Sequence, residues 1–110
     1  MIDRSYRFHG RKSLRAVYTH GQAIRGPLVA VKFSSNPRRS HYRLAVVVSK
    51  KVNASAVVRN RIRRRVYETI RQAALVEGPY DVVVTVYSDQ LSTMPTDALT
   101  QLLSSQFHQA

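Results

Sequence analysis

Residues 49–66 read SKKVNASAVVRNRIRRRV, and in this stretch an apolar strand pattern gives way to a basic helical one. Seven cations and no acid fall between Lys50 and Arg65. A helix face of this kind repels itself, and the repulsion lowers stability unless a polyanion lies against it. The pattern therefore predicts a nucleic acid as the first partner to consider for this chain.

The charge of the chain is divided unevenly along its length. The 110 residues carry a formal net charge of +12. Residues 1–71 hold all 18 Lys and Arg with two acids, whereas residues 72–110 hold four acids and no Lys or Arg. Because the basic part also contains regular apolar runs, we expect its cations to coat one side of a folded domain rather than a disordered tail. The length predicts a single domain over residues 1–110.

The spacing of apolar residues predicts an α-β-β-α-β-α order of elements. In chain order these are a helix over 11–20, strands over 27–34 and 42–51, a helix from Asn53 or Ser55 to about Leu75, a strand over 80–88 and a helix opened by Pro95. We expect the first two strands to pair as a hairpin. The fold class is then α+β, with helices packed on a small three-stranded sheet.

Alternation along the strands predicts two unlike faces of this sheet. The first face is apolar and is predicted to form the core beneath the helices: Val29, Val31, Phe33, Leu44, Val46, Val48, Val82, Val84 and Val86. The second face is smaller and more polar, which suits the floor of a shallow basic groove: Ala30, Lys32, Arg43, Ala45, Val47, Ser49, Lys51, Val83, Thr85 and Tyr87. An ordinary solvated face with incidental lysines would give the same pattern.

The central helix has an apolar stripe and a cationic side when drawn at about 100° per residue. The predicted stripe consists of Val58, Ile62, Val66, Thr69, Ile70 and Ala73, and the opposite side of Asn60, Arg61, Arg64, Arg65 and Arg71, with Arg59 and Arg63 at the margin. A solvated salt-bridged face would interleave charges of both signs, and only Glu68 is available here. Arginine suits RNA because its planar fork bonds phosphate oxygens in pairs and stacks on bases.

Two further residue types on this surface suit RNA. Asn60 can hydrogen-bond a base edge or a 2′-hydroxyl. Aromatic side chains among cations can stack on unpaired bases, and of these we expect Tyr18 to lie at the groove. The other aromatics found among cations are expected to lie mostly in the core: Phe8, Phe33, Tyr42 and Tyr87.

Two motifs resemble the bacterial ribonuclease P protein family. Lys50-Lys51-Val52 and then Arg59-Asn60-Arg61-Ile62-Arg63-Arg64-Arg65 are similar to its strand ending in Ser-Lys-Lys and its arginine-rich helix. Residues 14–21, LRAVYTHG, resemble its first helix. The resemblance implies a two-layer α/β sandwich, a small mixed sheet carrying helices, with a left-handed βαβ crossover that general topology rules would not suggest.

The same resemblance implies a small basic subunit that binds a catalytic RNA and the 5′ leader of precursor tRNA. By position, the residues facing the catalytic RNA are Lys50, Lys51, Arg59, Asn60, Arg61, Arg63, Arg64 and Arg65. Those facing the leader are Leu14, Tyr18, Lys32, Arg43 and Ser49. The chain departs from the family pattern at Leu14, where a Phe is usual, and at Asn53-Ala54-Ser55, which replaces a Gly-Asn pair.

The acids and histidines of this chain predict no catalytic or metal site. Its six acids are scattered without a D-x-D or D-x-x-E pair, and its four histidines lack the spacing of metal ligands. Phosphodiester hydrolysis usually needs paired metals held by clustered carboxylates. We therefore expect no catalytic residue and no cofactor held by the protein alone, with the Mg²⁺ of the holoenzyme held mainly by RNA.

The remaining expectations concern location and alternative functions. The chain has no cysteine and no apolar run long enough to span a bilayer, which predicts a cytoplasmic protein without a membrane partner. No protein partner is expected to be needed. The main alternative is a purely structural RNA-binding protein, such as a ribosomal protein. A nuclease acting alone lacks a catalytic set, and a helix-turn-helix DNA binder would place its basic helix after another helix.

Overall fold

The structure is a computed structural model that describes residues 22–35, 41–76 and 78–108. Its elements in chain order are β1 (Gln22–Arg25), β2 (Val29–Ser35), β3 (Arg43–Val48), α1 (Ala56–Gln72), β4 (Tyr80–Val86) and α2 (Thr96–His108), with a 3-10 helix at Asp89–Ser92. The α+β class is confirmed. The predicted helix over 11–20, with Leu14 and Tyr18, lies outside the described residues.

The sheet is mixed, as predicted, but its strand order differs from the expected one. The order is β1-β2-β4-β3, in which β2 is antiparallel to β1 and β4, and β3 is parallel to β4. The predicted hairpin between the strands at 27–34 and 42–51 is wrong, because β4 lies between them. β4 is apolar on both faces, which suits the centre of a sheet. The parallel β3-α1-β4 crossover is present, and its left-handedness stays a prediction.

The sheet has four strands in the described residues, rather than the three predicted, because residues 22–25 form an edge strand. The turn from β1 to β2 is closed by the Gly26 N–H, which donates to the Val29 carbonyl at 2.9 Å. The side-chain amide of Gln106, which lies 82 residues after Ile24 in the chain, donates to the Ile24 carbonyl at 3.0 Å. The β1 strand is therefore held by partners that its own four residues do not reveal.

The first face of the sheet forms the main core, as predicted. Every valine and leucine expected there is buried, and Phe33 packs at its edge. The central helix contributes Ile62, Val66 and Ile70, each with none of its surface exposed. The C-terminal helix contributes Leu99 and Leu103. The two helices therefore cover one face of the sheet, and the cationic side of α1 is directed away from the core.

The bounds of α1 follow from local capping at both ends. Ser55 is the N-cap, and its Oγ accepts a hydrogen bond from the Val58 N–H at 3.4 Å. The helix ends at Gln72, before the predicted Leu75, and Ala74 has a left-handed φ of 49°. Ala73 is therefore an exposed C-cap residue rather than part of the buried stripe.

The buried stripe of α1 should carry much of the stability of the fold. Replacing Ile62→Ala should lower the free energy of unfolding by about 2–5 kcal/mol, because it leaves a cavity against the sheet. Val57→Ala is the matched control on the same helix, since Val57 is 78% exposed, and its effect should stay within about 0.5 kcal/mol. Urea denaturation measures both, and equal effects would contradict the observed orientation of α1.

Candidate nucleic-acid interface

Arg65 is bound to the protein's own backbone. Its guanidinium donates to the carbonyls of Leu91 and Met94, which lie at the end of the 3-10 helix and just after it. The side chain is half-buried. RNA contact by Arg65 stays a prediction, and the structure adds that its guanidinium also supplies donors to these two backbone carbonyls. In this position, Arg65 joins α1 to the segment that follows β4.

Arg59 makes a similar contact at the other end of the helix. Its Nη1 donates to the carbonyls of Asn53 and Ala54, at 2.9 and 2.8 Å. The Asn53 side chain accepts from the Ser55 N–H at 2.9 Å and donates to the Asp89 carboxylate at 3.1 Å. The loop that departs from the family pattern is therefore tied to both α1 and the 3-10 helix, which gives it a defined geometry.

Asn60 and Arg63 interact with each other on the outer surface of α1. Arg63 Nη2 donates to Asn60 Oδ1, and the two residues are one turn apart. The amide oxygen of Asn60 accepts this hydrogen bond, so its NH₂ group remains the part of the amide that can donate to a ligand. An amide held in this way presents hydrogen-bond donors to acceptors on a base or ribose.

Four cations of the predicted RNA-facing set keep their donors available. Arg61 and Arg64 on α1, and Lys50 and Lys51 in the turn before it, are exposed. None of the four forms a hydrogen bond or ion pair within the part of the chain that the structure describes. Their charges are therefore the ones that a polyanion would neutralise.

Arg71, by contrast, is paired with an acid one turn away. Its Nη2 lies 2.8 Å from Glu68 Oε2. The hydrogen bond from Arg71 is the largest cause that lowers the pKa of Glu68 from 4.5 to about 2, so the carboxylate stays ionised in mild acid. The same pairing raises the pKa of Arg71. The charge of Arg71 is therefore largely balanced by Glu68, whereas Arg61 and Arg64 have no acidic partner among the described residues.

The second face of the sheet carries cations around a centre of small side chains. Strand pairing aligns Lys32 with Val83, and Val83 with Ala45. One step along, Asp81 is aligned with Ser34 and with Arg43. The predicted leader-facing residues Lys32 and Arg43 thus share one face, as the alternation requires.

The end of β3 differs from the sequence prediction. The strand ends at Val48, and the Val52 N–H donates to the Ser49 carbonyl at 3.1 Å in the turn that follows. Ser49 is exposed at the end of the sheet face. Lys51 lies in the turn and not on the strand, so its predicted place on the groove face is wrong.

Two residues that suit RNA contact were missed as site residues. Arg25 is opposite Ala30 in the β1-β2 pairing, so it lies on the polar face and is exposed. No apolar pattern marks residues 22–25 as a strand, and no local signal would have placed Arg25 there. Tyr87 was placed on the polar face by alternation but was grouped with the aromatics expected mostly in the core, and it is 53% exposed. The alternation that put Tyr87 on the polar face was the signal that could have identified it.

The described residues contain neither a cluster of metal-ligating side chains nor a helix suited to span a membrane. In the ranges 22–35, 41–76 and 78–108, no three His, Cys, Asp or Glu side chains come together as a set that could hold a metal ion. In the same ranges, no helix has the length and apolar character needed to cross a membrane.

Comparison with known proteins identifies a family. The family model "Ribonuclease P" matches residues 2–110. The chain is 34% identical over 88 residues to the ribonuclease P protein component of Pseudanabaena sp., covering 78% of this chain and 75% of that one. It is 41% identical over 81 residues to the corresponding component of Clostridium kluyveri, covering 71% and 70%.

A solved structure with the same fold supports the comparison. The RNase P protein of Staphylococcus aureus superimposes with a TM-score of 0.80, covering 94% of this chain and 93% of that one. Its sequence identity is 24%, so this likeness concerns the fold alone.

The contacts of Arg65 predict a structural role that Arg61 does not share. Arg65→Ala should lower the free energy of unfolding by about 1–3 kcal/mol, because two carbonyls lose a charged donor. Arg61→Ala, the matched control, removes the same charge from an exposed position and should change stability by less than about 0.5 kcal/mol. Denaturant titration of both variants without RNA is the measurement. An Arg65→Ala protein as stable as the wild type would contradict a stabilising role for the contacts of Arg65 with Leu91 and Met94.

Proposed function

The chain belongs to the ribonuclease P protein family, which provides the protein component of an endoribonuclease. On that premise we propose how the chain acts in that ribonucleoprotein. We propose that α1 docks on the catalytic RNA while the polar sheet face holds the 5′ leader of precursor tRNA. The assembled ribonucleoprotein then removes the leader to give the mature 5′ end of the tRNA.

The division of labour among the arginines is the observation that carries this proposal. Arg59 and Arg65 are bound to backbone carbonyls, whereas Arg61 and Arg64 are exposed and make no hydrogen bond within the described residues. We group them with Lys50 and Lys51, in the turn before α1, and use the name cationic patch for these four exposed residues. Phosphates that lie against this patch would release counterions, which favours binding at moderate salt.

The sheet face supports the second half of the proposal. Lys32 and Arg43 flank buried small side chains, and Arg25 adds a cation at the edge of the same face. A single strand laid across such a face meets charge at its phosphates and little steric obstruction from below. We infer that Ser49 contributes a hydroxyl where the strand leaves the sheet. Leu14 and Tyr18, outside the described residues, remain predicted leader contacts.

The protein's part in the chemistry is electrostatic and positional. The described carboxylates and imidazoles do not fit a metal site, since no three of them come together. We therefore propose that the Mg²⁺ which the holoenzyme needs is held mainly by RNA, and that no protein side chain is catalytic. The protein neutralises phosphate charge and fixes the leader relative to the RNA. We place it in the cytoplasm, and we propose that it needs no further protein partner.

The cationic patch predicts a specific loss when its arginines are removed. Arg61→Ala and Arg64→Ala should each weaken binding to the catalytic RNA by about 1.5 kcal/mol, roughly tenfold in Kd. Each should also reduce the slope of log K against log salt by about one. Filter binding over a salt series measures both quantities.

Arg71→Ala is the matched control for these variants. It removes the same charge from the same helix, but this charge is already paired with Glu68. Its effect on affinity and on the salt slope should be clearly smaller. An equal loss in all three variants would indicate a general charge effect and no defined patch.

Reconstituted cleavage tests the proposed function itself. Adding the protein to the catalytic RNA at low Mg²⁺ should accelerate cleavage of precursor tRNA and raise affinity for leader-bearing over leaderless tRNA. Lys32→Ala should reduce that leader preference, whereas Lys51→Ala should instead weaken assembly with the catalytic RNA. A structural RNA-binding protein would show no leader preference, and that result would reject the proposal.

A further inference from the structure

Tyr87 occupies a defined position at the end of the sheet. It directly follows β4, and its N–H donates to the Leu28 carbonyl at 2.8 Å. This hydrogen bond extends the pairing of β2 with β4 one residue beyond Val86. Alternation along β4 then puts the Tyr87 side chain on the polar face, with Thr85 and Val83. The backbone is therefore held in place while the side chain is 53% exposed.

The other tyrosine side chains of α1 and β4 have internal roles that Tyr87 lacks. Tyr67 is 9% exposed, and its hydroxyl donates to the Leu44 carbonyl at 3.4 Å. Tyr80, at the other end of β4, packs edge-on against Phe33 with 6.3 Å between ring centroids. Tyr87 has neither a hydroxyl partner nor a ring partner in the part of the chain that the structure describes. Its exposed ring therefore contributes little to the core.

Polar and cationic residues follow the neighbouring strand ends near Tyr87. Val48 is aligned with Val86 in the parallel pairing of β3 with β4, so Ser49 follows β3 at the level of Tyr87, and Lys50 comes next in the turn. On the other side, Arg25 lies two strands away from Thr85, about 10 Å across the sheet. An exposed aromatic ring on a surface that also carries cations suits unpaired bases, because the ring stacks on the base while the cations bind the phosphates.

We propose that Tyr87 is a stacking platform for one nucleobase of the 5′ leader, at the point where the strand passes from the sheet face to the cationic patch. This inference rests on the function proposed above and adds a residue to it. The stack accepts any of the four bases, because each base offers a π-face. Tyr87 therefore contributes affinity and register at a single leader position rather than base specificity.

A series of leader lengths provides the test, with binding measured in the presence of the catalytic RNA. Tyr87→Ala should lower the affinity about tenfold for every leader long enough to reach Tyr87. This loss is within the range measured when one base–aromatic stack is removed. The deficit should disappear in one step when the leader is shortened past that nucleotide. Leaderless tRNA should bind both proteins equally. Tyr87→Phe should keep the wild-type affinity, because it retains the ring.

Tyr80→Ala is the matched control, since it removes the same residue type from the same strand on the opposite face. It should leave the dependence on leader length unchanged. A second readout uses 2-aminopurine placed at each leader position in turn. Its fluorescence should be quenched at one position by the wild-type protein and by Tyr87→Phe, and should recover in Tyr87→Ala. Thermal unfolding of each variant confirms that it is folded.

The outcomes separate the two proposals. If the wild-type protein shows no preference for leader-bearing tRNA, the proposed function fails and the role of Tyr87 fails with it. If the preference is present but Tyr87→Ala shows no deficit at any leader length, or an equal deficit without a leader, only the stacking proposal is overturned. A loss in Tyr87→Phe as large as that in Tyr87→Ala would also overturn it, because the hydroxyl would then carry the contact.

Discussion

Repulsion among the cations of α1 is the constraint to which the rest of the structure responds. The helix carries its arginines close together, and only Arg71 has an acidic partner on the same helix among the described residues. Its place in the fold therefore depends on the fully buried stripe of Ile62, Val66 and Ile70. Burial of such side chains contributes about 1.5–3 kcal/mol each, which offsets weak repulsion at a solvated surface.

Two of the arginines also take part in holding the helix. Arg59 binds carbonyls in the loop before α1, and Arg65 binds carbonyls at and after the end of the 3-10 helix. These charge-assisted bonds join α1 to both neighbouring segments and satisfy carbonyl groups there. One residue type thus serves two purposes, since Arg61 and Arg64 stay exposed while Arg59 and Arg65 stabilise the structure that presents them.

The parallel pairing of β3 with β4 determines where the two proposed RNA surfaces meet. Parallel strands end at the same edge of a sheet, and the connection between them must cross back over one face. Here α1 is that connection, so the turn with Lys50 and Lys51 leaves the sheet at the edge where Tyr87 follows β4. In the proposed arrangement, a strand of RNA on the polar face would leave the sheet beside this turn and its two lysines.

The sequence by itself determined the features that depend on local periodicity and on charge. Alternation assigned every core valine of the sheet to its face, the 3.6-residue repeat identified the stripe on α1, and Ser55 was one of two residues proposed as its cap. The motif around Arg59 and Arg61 carried the family resemblance.

The tertiary structure decided what depends on distant partners. It placed β4 between β2 and β3, and it made residues 22–25 an edge strand that pairs with β2 and is also bound by Gln106. It also decided which arginines bind backbone carbonyls and which stay exposed. The sequence could not show this for Arg65, because its partners Leu91 and Met94 lie more than twenty residues away and no local pattern connects them.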